Sequence, residues 1–195
     1  MFTWIIAALM SFNTAQAEVS LDAHDLVQAI NVEIFQKRFS DEASIQALDW
    51  KVGEAADYQI RMGFIPGSMT MLVREEVFEG FWLEQNMDLG FLGKNKVELL
   101  IDKRDGSVLQ MIVNGEKQEV PEQGNMEIED MKEDRITVPA GTYDCIYLRI
   151  RDLDKNETSE MWINPSEVPI AGLVKQVAPG PIGNVTVELT KFRKL

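Results

Sequence analysis

Residues 58–78, YQIRMGFIPGSMTMLVREEVF, contain the pattern that decides the fold. From Tyr58 to Phe64 every second residue is apolar and its neighbours are polar or small, which is typical of a strand with one buried face. Pro66-Gly67-Ser68 combines residue types that favour turns, and a second apolar run extends from Met69 to Phe78. The stretch therefore predicts a β-hairpin whose turn is Pro66-Gly67-Ser68.

Most of the chain after Trp50 repeats this arrangement of short strands and turn residues. Asn114-Gly115, a dipeptide that favours tight hairpins, ends one of the predicted strands. Further strands are predicted at residues 81–89, 96–102, 107–113, 135–138, 143–152, 159–163, 173–178 and 185–192. The sequence thus predicts roughly ten antiparallel strands, the first of them in a meander, within a single β-rich domain that spans residues 18–195.

The segment from residue 120 to residue 134 departs from this pattern because it is strongly acidic. Its acidic residues are Glu122, Glu127, Glu129, Asp130, Glu133 and Asp134. Clustered charges of one sign favour contact with water over burial in a core. We expect a solvated connection here, with room for one edge strand at most.

A helix is predicted before the first strand. From Asp22 to about Phe39 apolar residues recur at helical spacing, and Asp22 can cap the first turn. A shorter helical segment is predicted from Asp41 to Leu48. Ten antiparallel strands cannot stay flat, because neighbouring strands twist by roughly 20–25° and large sheets curl or close. We therefore predict a mainly β fold with an N-terminal α-helix, in which the helix packs on the concave face of a curved, half-barrel sheet.

Residues 1–17 have the features of a cleavable signal peptide. An apolar run from Phe2 to Met10 precedes a short polar segment, and Ala15-Gln16-Ala17 provides the small residues of a cleavage site. The apolar run is too short to span a bilayer, and no later segment approaches the ~20 apolar residues that a membrane helix needs. We expect export to the periplasm without an anchor, because Cys145, the single cysteine, lies far from the cleavage site and cannot be the acylated residue of a lipoprotein.

The charge of the chain limits its partners. The 195 residues have a formal net charge of −13 at pH 7, and only Lys191, Arg193 and Lys194 are locally basic. Nucleic acids are bound by clustered Lys and Arg that displace counterions from phosphates, so no nucleic-acid partner is expected. The same acidity disfavours adsorption to anionic lipid head groups, but it is compatible with an apolar ligand held inside the protein.

Few residues of the sequence could support catalysis or bind a metal. His24 is the only histidine, so neither a histidine general base nor a multi-histidine metal site is expected. Cys145 has only that imidazole as an activating partner, and we interpret it as structural. The segment 152–156 begins like a calcium loop, but Glu157 and Ile163 stand where glycine and glutamate are required, which favours a hairpin turn. We predict a protein that is not an enzyme and has no catalytic residues, metal or cofactor.

Large and flexible apolar side chains are frequent in the predicted strands. Methionine adapts its shape to varied partners, and such residues could line a ligand cavity. The candidates are Met62, Phe64, Met69, Met71, Phe81, Met87, Met111 and Trp162. The alternative is that they fill a solid core beneath the helix, and the sequence does not distinguish these two arrangements.

Several motifs in the C-terminal part resemble one family. They are ITVPAGTY at residues 136–143, EMWINP at 160–165, GLVK at 172–175 and VEL at 187–189. Together with Gly53-Glu54, Tyr58 and the Asp105-Gly106 turn, this succession resembles the DUF3108-like group of bacterial exported proteins, whose members resemble the periplasmic lipoprotein carriers LolA and LolB. The resemblance extends over most of residues 50–192. It implies a half-barrel sheet with a helix on its concave side, and it implies no catalytic residues.

Two functional hypotheses follow from these observations. The first is a periplasmic carrier or binding protein that holds an apolar ligand, such as an acyl chain, a lipid or a lipoprotein anchor, between the sheet and the helix. The second is a scaffold of the cell envelope with a filled core, which binds a protein partner through a sheet edge or through the acidic segment 122–134. An envelope hydrolase is the least expected class, because the sequence has a single histidine.

Overall fold

The computed structural model describes residues 48–120, 125–180 and 183–195. The predicted signal peptide, the predicted helix from Asp22 to Phe39 and His24 lie outside these residues. So does the segment from Asp41 to Leu48, except for Leu48 itself. Within the described part of the chain the regular structure is almost entirely β-strand, which confirms the mainly β prediction.

The described strands form one antiparallel sheet of eleven strands. They are β1 (Ala55–Met62), β2 (Ile65–Glu76), β3 (Gly80–Asp88), β4 (Lys94–Asp102), β5 (Val108–Val113), β6 (Glu116–Gln118), β7 (Met126–Val138), β8 (Gly141–Asp152), β9 (Glu157–Ile163), β10 (Leu173–Ala178) and β11 (Val185–Arg193). The order across the sheet is β6-β5-β4-β3-β2-β1-β11-β10-β9-β8-β7. Two meanders, β1–β6 and β7–β11, therefore meet in the middle of the sheet, where β1 pairs with β11.

The first hairpin turns earlier than the sequence predicted. Met62 pairs with Ile65, so the turn is the two-residue loop Gly63-Phe64 and not Pro66-Gly67-Ser68. Gly63 has a φ of 58°, which glycine adopts without steric cost. Pro66 lies in β2 ahead of Ser68, the first residue of β2 that pairs with β3. No residue of β3 lies opposite Pro66, so the backbone N–H that proline lacks is not needed for a hydrogen bond to β3.

Most of the acidic segment belongs to an edge strand. β7 is 13 residues long, begins at Met126 and, among the described strands, pairs with β8 alone. Glu129 of β7 lies 3.5 Å from Arg149 and 3.6 Å from Arg151 of β8. On an edge strand the acidic side chains stay in contact with water and can pair with basic side chains of the neighbouring strand, which explains how so acidic a sequence can form a strand. The predicted connection is reduced to the residues between Gln118 and Met126.

The length of this connection requires the sheet to curl. β6 and β7 are the two edges of the sheet, and seven residues separate Gln118 from Met126. Eleven strands in a flat sheet would place these edges about 48 Å apart. A fully extended chain from Gln118 to Met126 spans at most about 29 Å. The two edges must therefore approach each other, as in a curved sheet that does not close.

Side chains alternate between two faces of this sheet. We call the face that contains most of the buried apolar side chains the inner face; on β1 it has Tyr58, Ile60 and Met62. The opposite, outer face has Gln59 and Arg61 on the same strand. The inner face thus contains the core of the described residues, and the outer face consists largely of polar and charged side chains.

Candidate functional site

Six buried methionine side chains form much of the inner face. They are distributed over five strands and are nearly inaccessible to solvent. They are Met62, Met69, Met71, Met87, Met111 and Met161. Met69 of β2 lies directly opposite Met87 of β3, so these two side chains are cross-strand neighbours. The result is an extended surface of flexible, polarisable side chains.

The structure brings most of the predicted cavity residues together on this surface. Met62, Met69, Met71, Phe81, Met87 and Met111 all belong to the same buried cluster. Met161, which the sequence analysis did not select, is also in it. Its alternation with Glu160 and Trp162 was visible in the sequence, but alternation alone does not say which of the two faces is buried.

Phe64 lies outside this surface, and its prediction as a cavity residue is wrong. It occupies the tip of the β1–β2 turn, where 87% of its surface is exposed. The strand pattern that begins at Tyr58 ends at Met62, because Gly63 starts the turn. Phe64 therefore no longer follows the alternation that would direct it inward.

Trp162 lies on the outer face, and its prediction as a cavity residue is also wrong. Its neighbours Met161 and Ile163 point inward, so the pleat of β9 directs Trp162 outward. Its indole Nε1 donates a hydrogen bond to Asp134 Oδ2 at 2.7 Å. Its ring packs against Tyr147, with 5.1 Å between the ring centroids. Trp162 therefore stabilises the outer surface of β7, β8 and β9.

A charged cluster on the outer face surrounds Glu188 of β11. Its carboxylate accepts hydrogen bonds from Gln59 Nε2 and Arg61 Nη2, each at 2.7 Å, and lies 3.0 Å from Lys175 Nζ. Burial by itself raises the pKa of Glu188, but the bonds from Lys175 and Gln59 hold it below its ordinary value. The cluster connects β1, β10 and β11 and is an ion-pair network of the kind that supports a sheet.

The inner face also contains polar side chains that the sequence analysis missed. Gln85 of β3 is only 1% exposed and points inward between Leu83 and Met87. Gln176 of β10 is equally buried. The two differ, because the Nε2 amide of Gln85 has no hydrogen-bond partner among the described residues. A buried donor without a partner is rare in folded proteins.

The described chain enters the sheet from the inner face. Leu48 and Trp50 are partly buried against the core, and the Trp50 ring lies 6.0 Å from the ring of Phe81. The N–H of Leu48 donates to the carbonyl of Lys103 at 2.9 Å, which fixes this entry at the turn between β4 and β5. Leu48, the first residue that the structure describes, therefore lies beside the inner face.

The residues considered for catalysis have structural surroundings. Cys145 of β8 is buried, and its burial together with nearby Asp134 and Asp144 raises the pKa of the thiol to about 11. Asp152 Oδ1 accepts the N–H groups of Asp154 and Lys155, each at 2.9 Å, as expected of a residue that closes a hairpin turn. The hairpin interpretation of the segment 152–156 is thus confirmed.

No group of three or more His, Cys, Asp or Glu side chains among the described residues could hold a metal ion. No helix in the described part of the chain is long and apolar enough to cross a membrane.

Comparisons with known proteins give remote structural similarities. No protein-family model matches the chain, and no curated protein matches it. A Bacteroides fragilis protein with a YmcC-like fold, inferred to be exported, is 12% identical with a TM-score of 0.39 and covers 77% of this chain and 100% of its own. A Parabacteroides distasonis protein inferred to be a lipoprotein is 13% identical with a TM-score of 0.39 and covers 75% and 97%. Similarities of this size assign no family, and the resemblance to the DUF3108-like group stays a prediction.

Proposed function

We propose that this protein is an exported carrier or binding protein that holds an apolar ligand against the inner face of its sheet. The ligand would be an acyl chain, a lipid or the acyl anchor of a lipoprotein. The single observation that supports this proposal best is the buried apolar inner face, which is continuous across the two meanders and is rich in methionine on β1, β2, β3 and β5. Such a surface can adapt to a flexible chain without a fixed set of polar contacts.

The width of the sheet supports an interior occupant. A barrel of about eight strands is just narrow enough for its own side chains to fill it, and wider ones leave space. This sheet has eleven strands and curls without closing. We infer that a second layer, either chain or ligand, completes the core inside this wide sheet.

The N-terminal segment is the part of the chain that we propose as the cover of this interior. The predicted amphipathic helix from Asp22 to Phe39 has an apolar stripe that needs a partner surface. The chain reaches the sheet at Leu48, next to the inner face, so only eight residues separate the helix from that surface. A ligand would then lie between the helix and the methionines of the sheet.

The decisive experiment is native mass spectrometry of the exported chain, purified from the periplasm without detergent and followed by solvent extraction and lipid analysis. A stoichiometric acyl-containing adduct is the expected result. A mass that corresponds to protein alone, and that does not change after incubation with phospholipid vesicles, would contradict the proposal.

Variants on and away from the inner face test whether the bound lipid lies there. Met87→Phe places a larger and stiffer ring on the inner face and should lower the amount of bound lipid. Trp162→Phe on the outer face and Phe64→Ser at the exposed turn should leave it unchanged. If the outer-face variants lower the loading as much as the inner-face variant, the ligand does not lie where we propose.

A scaffold is the second candidate, and the edge strand β7 is the observation in its favour. Among the described strands β7 pairs on one side only, so its other edge offers unpaired backbone, and its Met131 is 60% exposed. A partner strand could pair with such an edge. The acidic side chains of β7 require this partner to be basic. Capture of a basic protein by the wild type, with loss of capture when Met131 is changed to Lys, would favour the scaffold over the carrier.

A further inference from the structure

We propose that Gln85 is a polar anchor inside the ligand site, and that the ligand has a hydrogen-bond acceptor, such as an ester or amide carbonyl, next to its apolar chain. This inference rests on the proposed function. It adds the chemical class of the ligand: an acylated molecule that is held by its carbonyl, in contrast to a pure hydrocarbon.

The position of Gln85 in the sheet is the first argument. Across the sheet its direct neighbours on the inner face are Met71 of β2 and Val97 of β4. The next residues in the same row are Ala56 of β1 and Val113 of β5. All four are apolar and buried. Gln85 is thus the one polar side chain in a row of five strands, and it lies among the methionines.

The unpartnered amide is the second argument. Gln85 Nε2 is inaccessible and has no hydrogen-bond partner among the described residues. A buried donor in this state destabilises the fold, and methionine, which has a similar length and volume, would remove that cost. The inner face accepts methionine at Met71 and at Met87, which is the next inward position on the same strand. The presence of the Gln85 hydrogen-bond donor among these methionines is explained if a bound molecule supplies the acceptor.

The carboxamide also fits one kind of ligand better than others. Its free atom is a neutral N–H donor, which matches a carbonyl oxygen and does not require a charged group. The direct neighbours of Gln85 across the sheet, Met71 and Val97, are apolar and provide no positive charge. A free carboxylate would therefore be buried without a counter-charge, which is costly. The ester or amide carbonyl of a lipid can accept the hydrogen bond from Gln85 without burying a charge.

The test is a competition between two ligands of equal size, methyl decanoate and tridecane, presented to the protein as an equimolar mixture. After gel filtration the bound amounts are measured by gas chromatography in the wild type, in Gln85→Met and in Trp162→Phe. All three proteins meet the same mixture, so the different solubilities of the two probes cancel when the bound ratios are compared.

We expect the ratio of bound ester to bound alkane to fall about tenfold in Gln85→Met and to stay at the wild-type value in Trp162→Phe, which changes only the outer face. An equal ratio in the wild type and in Gln85→Met, with both probes bound, would overturn the anchor and leave the carrier function standing. Binding of neither probe to any of the three proteins would overturn the carrier function, and the anchor with it.

Thermal unfolding of the ligand-free proteins provides an independent test. Gln85→Met should unfold at a higher temperature than the wild type, because it no longer buries an unpaired donor. A lower unfolding temperature for Gln85→Met than for the wild type would mean that the carboxamide has a structural role, and this result would also overturn the anchor.

Discussion

The backbone N–H of Ala140 donates a hydrogen bond to the carbonyl oxygen of Leu189, with 3.1 Å between the two atoms. Ala140 lies in the turn between β7 and β8, whereas Leu189 is on β11, three places away from β8 in strand order. In a flat sheet strands three places apart are separated by about 14 Å. The bond therefore shows directly that the end of the β7–β8 hairpin folds over the sheet toward its middle.

Removing this bond should loosen the curl of the sheet. Ala140→Pro deletes the donor, and we expect the free energy of unfolding to fall by about 1–3 kcal/mol because the Leu189 carbonyl loses its partner. Ala140→Ser keeps the N–H and serves as the control. Urea unfolding measures both. Equal midpoints for the two variants would mean that the contact contributes nothing to the curl.

Gly172 should tolerate substitution less well than a glycine in open space. A methyl group at Gly172 would lie 2.4 Å from the backbone nitrogen of Pro165, and the residue has a φ of 73°. Gly93 has a φ of 96° but nothing within 4 Å of the added carbon. Gly93→Ala should therefore cost about 1 kcal/mol for its backbone conformation alone. Gly172→Ala should cost clearly more, since the backbone itself must move.

Differential scanning calorimetry of these two variants separates the steric from the conformational cost. The close approach of the Pro165 backbone gives a physical reason for glycine at position 172, the first residue of the motif GLVK. If both variants lower the unfolding temperature equally, the contact with Pro165 relaxes at no cost.

The sequence predicted the strands well because most of them have one buried and one exposed face. It failed at the first turn, where two turn signals lie within six residues, Gly63-Phe64 and Pro66-Gly67-Ser68. The choice between them depends on the pairing of β2 with β3, which begins at Ser68. That register is a property of three strands together and is not encoded in the hairpin alone.

The candidate site was predictable to the extent that side chains follow the pleat. Met62 and Met69 could be assigned to one face from their neighbours, but no local signal tells which face of β9 is buried, and this led to the wrong choice of Trp162 over Met161. Gln85 could have been found, because it occupies an inward position between Leu83 and Met87. A polar residue in an apolar alternation is the signal that identifies it.

Cys145 should be almost unreactive in the folded protein. Burial, with the nearby acidic side chains, raises the pKa of its thiol to about 11. At about pH 8 roughly one thiol in a thousand would be ionised, compared with about a quarter in an unfolded chain. We expect Ellman's reagent to label Cys145 at least a hundredfold more slowly in the native protein than in denaturing urea. A native rate within tenfold of the denatured rate would contradict a buried, structural thiol.

Glu188 should make the stability of the protein depend on acid pH. Despite burial, its pKa is held below the ordinary value by Lys175 and Gln59, with Arg61 contributing. A carboxyl whose pKa is lower in the folded than in the unfolded state stabilises the fold fully above about pH 4.3, and this contribution is lost as the pH falls through the folded pKa. Glu188→Gln should therefore be less stable than the wild type by about 1–2 kcal/mol at neutral pH.

The difference between Glu188→Gln and the wild type should shrink as the pH falls below about 4, because the wild-type carboxyl then becomes neutral as well. Urea unfolding at a series of pH values measures this convergence. High salt is the control: it should weaken the exposed contact of Glu188 with Arg61, which is 61% exposed, more than the contact with Lys175, which is 23% exposed. A difference that is constant from neutral to acid pH would show that Glu188 acts through its shape and its neutral hydrogen bonds, and not through its charge.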